Sequence, residues 1–202
     1  MITLRKVSRL YGSTRALSGI SLDIATGETL VIFGHNGSGK TTLLKVLAGL
    51  LRPTSGDVAI DGQPPRAVRG RVGYLGHEHY LYPYLTVAEN LVLAARLFDR
   101  SPAEAEAALA AVGLVHKAEA LGRTLSRGEA QRAALARATL HDPDVLLVDE
   151  PFSGLDEASA AALPAVLARE GRTLVVATHD VDRGKAIATR IATLERGRLV
   201  DP

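Results

Sequence analysis

The stretch GHNGSGKT, residues 34–41, decides the fold of this chain. It follows a short apolar run, residues 30–33, and leads into a pattern with helical spacing of leucines over residues 41–50. A strand, a glycine-rich loop and a helix in this order form a phosphate-binding loop, in which successive backbone N–H groups face an anion. The alternative is a glycine-rich turn before a helix, but by composition the full pattern arises by chance in on the order of one in a hundred chains.

The residues of this loop have separate expected roles. Lys40 is expected to neutralise the β and γ oxygens of a bound nucleotide, and the Thr41 hydroxyl is expected to coordinate Mg²⁺. The expected nucleotide-binding residues run through the loop and into the first helical turn: Gly34, His35, Asn36, Gly37, Ser38, Gly39, Lys40, Thr41 and Thr42.

A second motif is an apolar strand pattern that ends in two carboxylates, VLLVDE at residues 145–150. Strands of a parallel sheet deliver such side chains to the carboxyl edge of the sheet. We expect Asp149 to bind Mg²⁺ and Glu150 to polarise the attacking water as a general base. Taken alone, an Asp-Glu pair after a strand is usually a solvated turn. The phosphate loop elsewhere in the chain favours the catalytic interpretation.

A third motif is LSRGE, residues 125–129. Ser126 and Glu129 have the spacing of a capping box, which predicts a helix that begins at Arg127. The exposed N–H groups of such a helix end, next to Gly128, can receive a γ-phosphate. The alternative is that Ser126 only caps the helix.

The remaining sequence predicts a single α/β domain over residues 1–202, with an antiparallel β start and a helical insertion. The expected nucleotide-binding core covers residues 1–76 and 141–202, and the expected helical subdomain covers residues 77–140. Strands are expected at residues 2–10, 20–24, 30–33, 58–60, 72–75, 145–148 and 173–177. Helices are expected at residues 41–50, 86–98, 101–112 and 127–140. Ser101 and Glu104 also have the spacing of a capping box, at the start of the third of these helices.

Composition excludes several classes of function. The chain of 202 residues has 24 basic and 22 acidic residues and no basic run, so we expect no nucleic-acid partner. It has no cysteine, which excludes disulfides and thiol chemistry. No apolar stretch approaches the roughly 18 residues of a spanning helix, and we expect a cytosolic chain.

The three motifs, in this order, resemble the ATPase subunits of ABC transporters along essentially the whole chain. The family usually has Leu-Ser-Gly-Gly-Gln at the third motif, so Arg127 and Glu129 differ while Ser126 and Gly128 are kept. The resemblance implies a RecA-like P-loop NTPase core that binds and hydrolyses ATP. It also implies a head-to-tail homodimer, with ATP between Lys40 of one copy and Ser126 of the other. The implied partner is an integral membrane permease, with this chain peripheral on the cytoplasmic face of the inner membrane.

The resemblance implies further site residues. Tyr11 matches the aromatic residue that stacks on adenine, although packing is the commoner role of such a residue. His179 matches the histidine that contacts the γ-phosphate, so the implied catalytic residues are Glu150, His179 and Lys40. Residues 153–156 resemble a loop that contacts the second subunit. Finally, His77 stands where the family has a metal-contacting glutamine; we expect it to bond water or phosphate, and the alternative is an exposed loop histidine.

The Gly76-His77 pair and the short length are similar to haem-exporter ATPase subunits of cytochrome c maturation. This predicts haem export. The alternatives are another small-molecule or lipid exporter, a non-transport ATPase that drives a membrane partner, and an ABC ATPase that acts on nucleic acid or ribosomes.

Overall fold

The computed structural model describes residues 1–155 and 157–201, which form two β-sheets and six α-helices. The strands are β1 (Ile2–Tyr11), β2 (Thr14–Ile24), β3 (Thr29–Phe33), β4 (Ser55–Ile60), β5 (Val72–Leu75), β6 (Val145–Asp149), β7 (Thr173–Thr178), β8 (Arg190–Glu195) and β9 (Arg198–Asp201). The helices are α1 (Lys40–Leu47), α2 (Val87–Leu97), α3 (Pro102–Ala111), α4 (Arg127–Thr139), α5 (Glu157–Leu167) and α6 (Val181–Ile187). Within these residues no helix is both long enough and apolar enough to cross a bilayer.

The larger sheet has the strand order β5-β6-β7-β3-β8-β9 and is parallel except for the β8–β9 hairpin. In its centre Phe33 pairs with Thr178, and Asp149 pairs with Ala177. The carboxyl ends of β3, β6 and β7 therefore lie side by side. The smaller sheet, β2-β1-β4, is antiparallel, as the alternation at the start of the chain predicts.

The larger sheet lies between two apolar clusters. Leu30 and Ile32 of β3 pack with α1 and the smaller sheet, whereas Val31 packs on the opposite face with α2, α3, α4 and α5. Because both faces are covered, strands such as β6 are apolar at nearly every position. The fold is the expected α/β class, with an antiparallel β unit on one side and the helical segment on the other.

The helix starts follow from local capping. Ser101 with Glu104 and Ser126 with Glu129 form the two predicted capping boxes, and Thr86 with Glu89 forms a third. Two parts of the fold differ from expectation. Helix α1 ends at Leu47, before Gly49, which has a φ of +69° that glycine adopts without strain. Helices α5 and α6 and the β8–β9 hairpin were not predicted from the sequence.

Candidate functional site

A cleft of ≈ 370 Å³ opens at the carboxyl edge of the larger sheet. It is formed where the loops after β3, β6 and β7 meet. Most of the predicted site residues line its walls: His35, Asn36, Gly37, Ser38, Gly39, Lys40, Thr41, Thr42, Asp149, Glu150 and His179. Three further residues complete the lining: Ala16, His77 and Ser153. The fold therefore brings residues from five separate parts of the chain together.

The phosphate loop places a buried cation in this cleft. Lys40 is only 6% exposed, and its Nζ donates to the carbonyl oxygen of Gly34 at 2.6 Å. Gly39 precedes α1 with a φ of +108°, and a Cβ at this position would lie 2.5 Å from the Ala16 carbonyl oxygen. The loop can therefore adopt this path only with glycine at position 39.

Thr41 and Asp149 form a pair of oxygen ligands suited to Mg²⁺. The Thr41 hydroxyl donates to Oδ2 of Asp149 at 2.6 Å. Asp149 is 2% exposed, and its Oδ1 has no hydrogen-bond partner among the described residues. Burial raises the pKa of Asp149, and the hydrogen bond from Thr41 opposes that rise. A buried carboxylate oxygen with no donor beside a hydroxyl fits a hard cation such as Mg²⁺.

Glu150 is held by the end of β7. Its backbone N–H donates to the Ala177 carbonyl oxygen at 2.8 Å, and its φ of +49° is left-handed, which is costly for a residue other than glycine. Its Oε2 accepts hydrogen bonds from the Thr178 hydroxyl at 3.1 Å and the His179 backbone N–H at 3.2 Å. The same oxygen lies 2.8 Å from Nδ1 of His179. Thr178 was missed from the sequence, although a threonine that closes the apolar run at 173–177 was a signal.

The predicted γ-phosphate receptor at the start of α4 does not line this cleft. Ser126 caps α4, and its backbone N–H donates to Oε2 of Glu129 at 2.8 Å. That hydrogen bond, followed by the ion pair with Lys117 at 3.0 Å, lowers the pKa of Glu129 to about 2. In the described part of the chain, Ser126, Gly128 and Glu129 are not among the residues that line the cleft. The cleft of one copy therefore lacks the predicted γ-phosphate receptor.

Tyr11 lies at the end of β1 and is 47% exposed. The Arg9 guanidinium covers its ring at 4.9 Å from the centroid, a cation–π contact that supports the ring. Tyr11 is not among the residues that line the cleft, although Ala16, on the next strand, is. Its expected contact with adenine stays a prediction.

His77 is exposed and borders the cleft, so its position agrees with both interpretations of this residue. Nearby, Nε2 of His79 lies 2.9 Å from Oε1 of Gln131. Burial lowers the pKa of His79. The expected subunit-contact loop is described at Ser153, Gly154 and Leu155, whereas its last residue, Asp156, lies outside the described residues.

The chain is similar to known proteins over most of its length. A family model described as "ABC transporter" matches residues 17–153. The chain is 42% identical to the aliphatic sulfonates import ATP-binding protein SsuB of Granulibacter bethesdensis, over 98% of this chain and 82% of that protein. It is 38% identical to the glutamine transport ATP-binding protein GlnQ of Escherichia coli, over 100% of this chain and 90% of that one.

The fold is similar to a dimeric structure of the ATP-binding cassette MJ0796 in a post-hydrolysis state bound to ADP and Pi. The TM-score is 0.93 at 30% sequence identity, and the match covers 100% of this chain and 97% of the other.

Proposed function

The chain belongs to the ABC transporter ATP-binding family, and from that premise we propose that Lys40, Thr41, Asp149, Glu150 and His179 form the ATPase site that drives a separate membrane permease. The chain is an ATP-hydrolysing subunit that uses ATP and Mg²⁺. The observation that carries the assignment of residues is their convergence on one cleft, with Thr41 bonded to Asp149 and Glu150 bonded to His179.

Each side chain has a role that its geometry supports. Lys40 supplies positive charge for the phosphate oxygens, while Thr41 and Asp149 would hold Mg²⁺, which adds charge neutralisation when bound. Glu150 accepts the proton of the attacking water, and His179 orients the carboxylate of Glu150. Catalysis by this set consists of positioning and charge stabilisation, with no covalent step on the protein.

A second copy of the chain would complete the site. The capped end of α4 at Ser126 does not line the cleft of its own copy, yet its free N–H groups suit a γ-phosphate. We propose a head-to-tail homodimer in which Ser126 of one copy closes the Lys40 cleft of the other. The similarity to a dimeric ATP-binding cassette supports this arrangement. The division into a core and a helical subdomain at residues 77–140 stays part of the proposal.

The transported molecule depends on the permease, because the residues of this site all serve phosphate chemistry. Two relatives of nearly full coverage are named for sulfonate import and glutamine transport, and these names do not support haem export. The haem hypothesis rests only on Gly76-His77 and the chain length. The peripheral location at the inner face of the membrane follows from the proposed permease contact.

The test is to purify the tagged chain from membranes in mild detergent, identify the integral protein bound to it, and measure ATP hydrolysis by the complex. We expect a multi-spanning permease and an ATPase rate above that of the isolated chain. The rate should respond to the cognate solute and not to haem. Recovery with nucleic acid or ribosomes and without a membrane protein would contradict the proposal, and a haem-dependent rate would restore the haem hypothesis.

A further inference from the structure

Arg127 contacts the loop that follows the proposed general base in the same copy. It is the first helical residue of α4, and its Nη2 donates to Oγ of Ser153 at 2.7 Å. Gly154 lies against the arginine side chain: a Cβ built on Gly154 would lie 2.8 Å from both Cδ and Nε of Arg127. The loop therefore accommodates this side chain because residue 154 is glycine.

The backbones of the two segments are also close. A Cβ built on Gly128 would lie 3.2 Å from the Gly154 carbonyl oxygen, so the first turn of α4 rests directly on the loop. In the same loop, the Ser153 N–H donates to the Glu150 carbonyl oxygen at 3.1 Å and closes a turn that starts at Glu150. The left-handed backbone of Glu150 persists only if its surroundings hold it. Arg127 contacts this turn through the Ser153 hydroxyl.

Helix stability does not explain an arginine at this position. A cation in the first turn of a helix is opposed by the positive end of the helix dipole. Among the described residues, Glu129 of the capping box forms an ion pair with Lys117 and none with Arg127. Arg127 instead donates a hydrogen bond to the Ser153 hydroxyl.

We propose that Arg127 is a positioning residue that holds the turn at Glu150 against α4 of its own copy. The inference rests on the proposed function, in which Glu150 is the general base. Since Ser126 would receive the γ-phosphate bound by the other copy, the link from Ser126 through Arg127 and Ser153 to Glu150 connects the two ATP sites of a dimer.

A different role would be direct contact of Arg127 with the γ-phosphate held by the other copy. The two roles differ in their dependence on Ser153. A positioning role acts through the Ser153 hydroxyl, so removal of that hydroxyl makes Arg127 dispensable. A direct phosphate contact has no such dependence.

The experiment is a double-mutant cycle on ATP hydrolysis by the permease complex. We expect Arg127→Gln to lower kcat about fivefold or more in the wild-type background, with the KM for ATP changed by less than about twofold. In the Ser153→Ala background the same substitution should change kcat by less than about twofold, because the contact is already lost. Arg127→Lys keeps a positive charge and a flexible donor, so it should retain more of kcat than Arg127→Gln.

An equal loss of kcat from Arg127→Gln in both backgrounds overturns the inference, and so does the absence of any loss. Thermal unfolding of each variant checks that it is folded; if Arg127→Gln unfolds, Arg127→Gly, which carries the residue usual in the family, replaces it in the cycle. The Glu150→Gln variant distinguishes a failure of the proposed general base from a failure of the role proposed for Arg127. If Glu150→Gln still hydrolyses ATP, Glu150 is not the base. If Glu150→Gln is inactive but the effects of the Arg127 and Ser153 substitutions on kcat are additive, only the role of Arg127 is contradicted.

Discussion

Oε2 of Glu150 lies 2.8 Å from Nδ1 of His179, and it also accepts the Thr178 hydroxyl and the His179 backbone N–H. The other carboxylate oxygen, Oε1, lies 3.6 Å from Nζ of Lys40. One oxygen is thus fixed by the end of β7, while the other faces the cation of the phosphate loop. This orientation leaves Oε1 as the oxygen that can accept a proton from water in the cleft.

Glu150→Gln should abolish turnover and keep ATP binding. The amide retains the shape of the side chain but cannot act as a base, so we expect kcat to fall by about 100-fold or more. Phosphate release and equilibrium binding of a fluorescent ATP analogue measure the two properties. The matched control is Glu106→Gln, an exposed carboxylate on α3 that should leave both unchanged. Hydrolysis near the wild-type rate in Glu150→Gln would refute the base assignment.

Asp149→Asn should raise the Mg²⁺ concentration needed for half-maximal ATPase activity. An amide oxygen is a weaker Mg²⁺ ligand than a carboxylate, and Asp149 provides the buried oxygen without a donor. A titration of ATPase activity with Mg²⁺ measures the change. Thr41→Ser, which keeps the hydroxyl bonded to Asp149, is the conservative control and should need less additional Mg²⁺ than Thr41→Val. An unchanged Mg²⁺ requirement in Asp149→Asn would exclude Asp149 as a ligand.

The same substitution should stabilise the protein in the absence of Mg²⁺. Burial raises the pKa of Asp149 above its ordinary value of 3.8, so the folded state binds this proton more tightly than the unfolded chain. Stability from this group therefore falls as the pH rises through the raised pKa. At pH 7 we expect Asp149→Asn to raise the free energy of unfolding by ~1 kcal/mol. In a chain of this size, such a gain raises Tm by about 2–4 °C. The gain in Tm over the wild type should become smaller as the pH is lowered towards 3.8. If Asp149→Asn has a lower Tm than the wild type at pH 7, the prediction is wrong.

Tyr11→Ala should raise the KM for ATP about three- to tenfold with little change in kcat, as expected for the loss of one aromatic stacking contact. Tyr11→Phe keeps the ring above Arg9 and should behave as the wild type. Steady-state ATPase kinetics of the two variants test this prediction. An equal effect of both substitutions would show that the hydroxyl, and not the ring, matters.

Glu129→Gln should lower stability at pH 7 because it removes the ion pair with Lys117, although the amide can still accept the Ser126 N–H. The folded pKa of Glu129, about 2, is below its ordinary value of 4.5. Its stabilising contribution is therefore complete above about pH 4.5 and is lost as the pH falls towards about 2. Urea unfolding of both proteins between pH 7 and pH 3.5 should show a difference that narrows below pH 4.5. If the difference in the free energy of unfolding between the two proteins is the same at every pH in this range, the pKa of Glu129 is not lowered in the folded protein.

The sequence predicts best what is decided locally. The glycines before Lys40, the capping box at Ser126 and the apolar run before Asp149 each specify a short segment through its own backbone needs. Helix α5 gives a weaker signal, because its alanines do not define one apolar face and Pro164 interrupts the pattern. The β8–β9 hairpin depends on a turn at Arg196-Gly197 with positive φ at both residues, which an Arg-Gly pair indicates less clearly than Asn-Gly.

The sequence by itself determined the chemistry of this protein: a phosphate loop, two carboxylates after a strand, and a capped helix end in family order. The tertiary structure alone decided which atoms meet. Thr178 reaches Glu150 because β7 pairs with β6, and Arg127 reaches Ser153 because α4 packs beside the end of the same sheet. Ser126 does not line the Lys40 cleft of its own copy. These contacts join residues distant in sequence, and their positions follow from strand order and helix packing, which short-range patterns do not encode.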